Sequence, residues 1–100
     1  MKHVRKATSA AEARTLEAIP NVGPSIAADL REIGVAQPRQ LIGRDPYDLY
    51  ARSNARRGMI QDPCLADCFI SAVRFMEGAP ARPWWDYTPE RKRHFATHRG

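Results

Sequence analysis

Prolines divide this chain. Of its eight, five stand where a helix is due to begin: Pro24, Pro38, Pro46, Pro63 and Pro89. Proline suits a first helical turn because its φ is already helical and its missing N–H would find no partner there. Asp45, Asp62 and Thr88 each precede one of these prolines, and their side-chain oxygens suit the capping of first-turn amides. No segment alternates apolar and polar residues in the manner of a strand. The fold class this predicts is all-α.

Between the prolines, apolar spacing and glycine stops set the expected elements. Ser9-Ala10-Ala11-Glu12 has the form of a capping box and predicts a first helix over 9–18, with Ala13 and Leu16 inward. A tight turn over Ile19–Pro24 leads to a second helix, Pro24–Ile33. There Ile26, Ala27, Leu30 and Ile33 share one face, and Gly34 ends the helix. A short helix over Pro38–Ile42 stops at Gly43. A fourth runs from Pro46 to about Ser53, with Leu49 and Tyr50 inward and a loop over 54–58. The segment Pro63–Glu77 is apolar around most of its circumference, so it is expected as the central core helix. A last short helix starts at Pro89 and carries Arg91, Lys92 and Arg93.

The net charge of +5 is unevenly spread. Lys2, Arg5 and Lys6 stand at one end, and Arg82, Arg91, Lys92, Arg93 and Arg99 outweigh Asp86 and Glu90 at the other. The stretch between holds eight arginines against nine acids. Basic ends around a near-neutral middle fit a chain steered toward polyanions, or one merely kept soluble. No apolar run nears the ~20 residues that cross a bilayer, and no apolar stretch follows the basic start, so a cytoplasmic protein is expected.

Chemistry-bearing constellations are sparse. Cys64 and Cys68 share a helix face and read as small core residues. A zinc site from Cys64, Cys68, His94 and His98 lacks the short Cys-x-x-Cys spacing, so no metal is expected. Asp62 reads as an N-cap and Asp67 as an exposed or capping-turn residue. With no nucleophile triad and no phosphate-cradling glycine loop, no catalytic residues are assigned and no enzyme is expected. Trp84 and Trp85 either cover the core or leave one indole free to stack on a base.

The informative segment is Leu16–Leu30, LEAIPNVGPSIAADL, which closely resembles the helix-hairpin-helix motif. Val22 is placed as the apolar plug between two helices, Gly23 as the sharp turn open to close approach, and Ala27 as the small residue where helices cross. The resemblance implies that backbone amides beyond Gly23 hold a nucleic-acid phosphate without reading sequence, often with a monovalent cation at the turn. Carried over, that role falls on Val22, Gly23, Ser25 and Ile26; Pro24 has no amide to give. The usual base early in the second helix is missing here, since the first is Arg31. Leu41-Ile42-Gly43-Arg44 resembles a degenerate second turn of a tandem, SAM-like hairpin domain, which would bring Arg44 to a second phosphate.

Farther on, Asp62-Pro63-Cys64-Leu65-Ala66-Asp67-Cys68-Phe69, the Glu77-Gly78 stop and Trp84-Trp85-Asp86 resemble the small bacterial "pathogenicity locus" helix-hairpin-helix proteins. Some of these are labelled mitomycin-resistance proteins. The expected layout is a basic N-terminal tail over 1–9, a helix-hairpin-helix domain over 10–88 and a short basic helix or tail over 89–100. The expected function is weak, non-sequence-specific or structure-specific DNA binding with a DNA-repair connection, aided by Arg44, Arg56 and Arg57. No cofactor is expected beyond the turn's monovalent cation. The alternative is an adaptor that binds a protein partner and uses the hairpin only as architecture.

Overall fold

A computed structural model describes residues 5–97. Four α-helices, α1 (Pro24–Glu32), α2 (Pro46–Arg57), α3 (Cys64–Met76) and α4 (Thr88–Thr97), are joined through 3-10 turns at Ala10–Glu12, Leu16–Ala18, Pro38–Leu41 and Trp84–Tyr87. There is no strand among the described residues. The fold is all-α.

The apolar circumference of Cys64–Met76 has the consequence its sequence predicts. α3 is the hub, packed against α2, α4 and the turns at Pro38–Leu41 and Trp84–Tyr87. Phe69, Ile70, Val73 and Phe75 are buried there, joined in the core by Leu16, Ile19, Val22, Leu30 and Leu49 from the N-terminal half. Each large side chain so removed from water contributes roughly 1.5–3 kcal/mol, which is why one apolar helix can organise so small a domain.

The aspartates before prolines act as expected. Asp45 accepts from the Tyr47 amide at 2.9 Å and Asp62 from the Cys64 amide at 2.8 Å. Thr88 does not cap. Its hydroxyl donates at 2.6 Å to Asp67, which is fully buried rather than exposed. Asp67 also accepts from Arg91 Nε at 2.8 Å, so the acid is a buried clamp that ties α4 to α3. Nothing local in the sequence marks it, because Arg91 arrives from a distant part of the chain.

Three further expectations change. The segment 9–18 is not one helix but two 3-10 turns separated by extended backbone at Ala13 and Thr15. The reason is visible at Glu12, whose carboxylate turns back to the amide and hydroxyl of Thr8, while Ser9 makes no side-chain cap. The loop expected over 54–58 is instead the last turn of α2. Gly58 at φ +69° terminates it, and the amides of Gly58 and Met59 close on the carbonyls of Ala55 and Asn54. Finally, the N-terminal residues are not all tail. Ala7 is buried and its amide donates to the Ala18 carbonyl at 2.8 Å, so the chain joins the fold ahead of residue 10. At the other end the expected short helix forms as α4 and is docked through Arg91 and through an Arg74–Glu90 pair at 2.5 Å. Lys2, His98 and Arg99 lie outside the described residues.

Candidate nucleic-acid interface

The turn between Leu16–Ala18 and α1 is built from its packing outward. Leu16, Ile19 and Val22 are fully buried, as are Ala27 and Leu30 on the inner face of α1. Val22 is therefore a core residue of the turn, though a 3-10 turn and not a helix precedes it, and the small Ala27 is buried on α1. The reversal itself is made by Asn21 at φ +70°, not by Gly23, which is extended at φ −86° and ψ −178°. Asparagine tolerates the left-handed region better than most residues. Here it is also anchored, since Asn21 Nδ2 donates to Ser71 Oγ on α3 at 2.8 Å and to the Arg82 carbonyl at 2.6 Å.

Gly23 has a different use. A Cβ built on it would meet nothing within 4 Å, so its lack of a side chain answers neither strain nor crowding inside the fold. It is the N-cap of α1 and supplies no capping side chain. Among the described residues, the amides of Gly23, Ser25 and Ile26 meet no acceptor, and Ser25 is exposed. Uncapped amides at the positive end of a helix dipole form a site for an oxyanion. The Arg82 carbonyl on Asn21 brings the Trp84–Trp85 segment alongside. Trp84 is half-buried, Trp85 is 59% exposed, and the two rings meet edge-on at 5.5 Å. One indole packs and one is free.

The carbonyl side of the same turn is also organised. Lys6 Nζ donates to the carbonyls of Glu17 at 2.7 Å, Ile19 at 3.2 Å and Val22 at 2.7 Å. Burial lowers the Lys6 pKa and the nearby Glu17 carboxylate raises it. Glu17 is itself held below the usual carboxylate range, chiefly by its hydrogen bond from Arg31, at 2.8 Å. In the sequence Lys6 belongs to the basic N-terminal stretch, and no local signal ties it to a turn so far along the chain.

The arginines are dispersed. Arg44 is half-buried on the second turn, between Gly43 and Asp45, and makes no ion pair among the described residues. Arg56 is exposed on the last turn of α2 beside Ile33, Arg52 and Ala55. Arg57 is exposed but already paired, its guanidinium bonded to the buried Asp29 at 2.5 Å and to Glu32 at 3.3 Å, both on α1. That pairing pins the end of α2 to α1 more than a helical turn from Gly23, with its charge already matched. Val22, Gly23, Ser25 and Ile26 thus lie together at the start of α1, while Arg56 and Arg57 lie toward its other end, by Ile33 and on Asp29 and Glu32.

The thiols offer no second centre. Burial pushes Cys68 up to about 11 and also raises Cys64, which keeps both protonated near neutrality. His94 stacks on Tyr47 at 3.5 Å with the rings parallel. No group of three or more potential metal ligands occurs among the described residues, and no helix there is long and apolar enough to cross a membrane.

Comparison with known proteins adds a family. A family model described as "Pathogenicity locus" matches residues 9–93. The chain is 52% identical over 81 residues to a protein of Streptomyces lavendulae named mitomycin resistance protein McrB, covering 81% of this chain and 77% of that one. No solved structure matches it.

Proposed function

The chain belongs to the pathogenicity locus family, and from that premise we propose that it is a helix-hairpin-helix protein that holds a DNA backbone without reading base sequence and catalyses nothing. The observation that carries this reading is the set of amides at Gly23, Ser25 and Ile26, which meet no acceptor among the described residues at the uncapped start of α1, where Ser25 is exposed. A phosphate oxygen accepts from such amides at any base sequence, because the backbone repeats and the bases do not. The exposed Trp85 and Arg82 beside the turn add a stacking face and a cation of the kind single-stranded or branched DNA favours. Under this reading the protein works in the cytoplasm, and a part in mitomycin resistance, as its relative is named for, comes through DNA contact.

The test is a titration of labelled duplex, single strand and branched DNA at two salt concentrations. Binding on the scale of ~10⁻⁴–10⁻⁶ M that weakens steeply with salt is expected for backbone contact by one small module. Gly23→Val is the informative variant. The space before Gly23 is open, so the fold should survive with about 1 kcal/mol lost to a poorer cap, while the branched side chain covers the amides. A folded Gly23→Val protein that binds as well as the wild type would sink the reading.

A second reading has its own observation. Met59 and Ile60, just past α2, are 61% and 83% exposed, and such side chains serve a protein partner better than a phosphate. As an adaptor the protein would bind that partner through this loop, and Gly23→Val would leave the interaction intact.

A further inference from the structure

We propose that Lys6 is the resident cation of the first turn, its ammonium standing where the hairpin's carbonyl oxygens would otherwise hold a free monovalent ion. The three oxygens of Glu17, Ile19 and Val22 converge on one nitrogen at 2.7, 3.2 and 2.7 Å. A set of neutral carbonyls around one point is the donor type that binds potassium-sized cations. An ammonium carries three N–H donors and no acceptor, so three carbonyls satisfy it completely, whereas a neutral amine would leave one oxygen facing a lone pair. The geometry therefore selects the charged form. A further cation does not fit, because the oxygens it would need already face a positive charge.

The tether explains the route of the N-terminal segment. Ala7 is buried and its amide is bonded to the Ala18 carbonyl, which fixes the backbone next to Lys6 along the first arm of the hairpin. The cation is thus delivered by the chain itself at a high local concentration, and no ion need be recruited from solution. Lys6 then holds the carbonyl side of the same turn whose amide side faces solvent. The inference does not depend on that turn binding DNA.

The experiment compares thermal unfolding of the wild type and Lys6→Ala in tetramethylammonium, potassium and methylammonium chloride at equal ionic strength. Tetramethylammonium is too bulky to enter the carbonyl set and has no N–H. The wild type should melt within about 1 °C in all three. Lys6→Ala should melt about 4–8 °C lower in tetramethylammonium and recover at least half of that loss in potassium or methylammonium. Unchanged melting of Lys6→Ala in tetramethylammonium, equal losses in every salt, or a wild type stabilised by potassium over tetramethylammonium would each overturn the proposal. Should Lys6→Ala not fold, the wild type decides by NMR. Both lysines are exposed, but the Lys6 ammonium protons, bonded to three carbonyls, should exchange with water much more slowly than those of Lys92, and equal rates would overturn the proposal. No nucleic acid enters either measurement, so failure here and failure of the DNA reading are separable.

Discussion

The chain makes nearly the same turn twice and finishes the two differently. At Ile19–Pro24 and again at Leu41–Pro46 a buried apolar residue accepts from the amide three residues on, with Ile19 to Val22 and Leu41 to Arg44 both at 3.1 Å. A left-handed residue then makes the reversal, Asn21 in the first and Gly43 in the second, and a proline opens the next helix. In the second turn two donors are taken by acids. Asp45 caps the Tyr47 amide, and Glu77 from the end of α3 accepts from the Gly43 amide at 2.9 Å. In the first turn the corresponding cap is Gly23, which offers no oxygen, and the Ser25 amide, the counterpart of Tyr47, meets no acceptor among the described residues. The lesson is that backbone shape alone does not make an anion site. What decides is whether the protein supplies its own anion.

This contrast can be attacked in order of expected effect. Asn21→Ala should cost about 2–3 kcal/mol, since it removes both bonds to Ser71 and Arg82 and the polar side chain that makes the left-handed region tolerable at φ +70°. Gly43→Ala should cost only about 1–2 kcal/mol, because strain is all it adds. Urea unfolding of the pair measures the difference. A cost below about 1 kcal/mol for Asn21→Ala would mean that the asparagine anchors do not brace the first turn.

Next comes Gly23→Asp, which gives the first turn the cap that the second one has. Stability should rise by a few tenths of a kcal/mol as the carboxylate takes up an amide. DNA affinity should fall at least tenfold, about 1.4 kcal/mol, because the amides are occupied and a negative charge faces the phosphate. Chemical denaturation and a binding titration on one preparation check both signs. Affinity and stability moving together would break the comparison.

Glu77→Gln should be smaller still. The amide oxygen can still accept from Gly43, so the stability loss stays below about 1 kcal/mol, and DNA affinity should rise no more than about twofold. A rise above tenfold would show the second turn to be a latent site as strong as the first.

The smallest effect is with pH. Glu17 is held below its usual 4.5 in the folded protein, chiefly through its hydrogen bond from Arg31. The unfolded chain therefore binds more protons as the medium is acidified. This contribution is complete above about pH 5 and is lost as pH falls through the folded-state value. The pair is substantially solvent-exposed, so less than about 1 kcal/mol is at stake. Melting temperatures between pH 6 and 3 should show a slightly flatter decline for Glu17→Gln than for the wild type.

Much of this protein was legible in the sequence because the controlling interactions are local. A proline fixes its own φ, an aspartate caps the amide two residues on, and a glycine stops the helix just before it. Hence α1 and α3 lie within a residue or so of where their prolines, spacing and stops put them, and α2 starts where its proline does. The buried Val22, the small Ala27 and the central place of α3 follow from the same short-range pattern.

The tertiary structure decided everything that depends on groups meeting from afar. Whether Asp67 is solvated or clamped rests on Arg91 and Thr88, whether Arg57 is free rests on Asp29, and whether the first turn's carbonyls are bare rests on Lys6. Long, flexible Lys and Arg side chains reach partners that no spacing rule connects, so their charges are counted in the sequence but assigned only in the fold. The sequence by itself set α1, α3, the start of α2 and the places of the two reversals; the packed chain determined which of their amides an acid reaches.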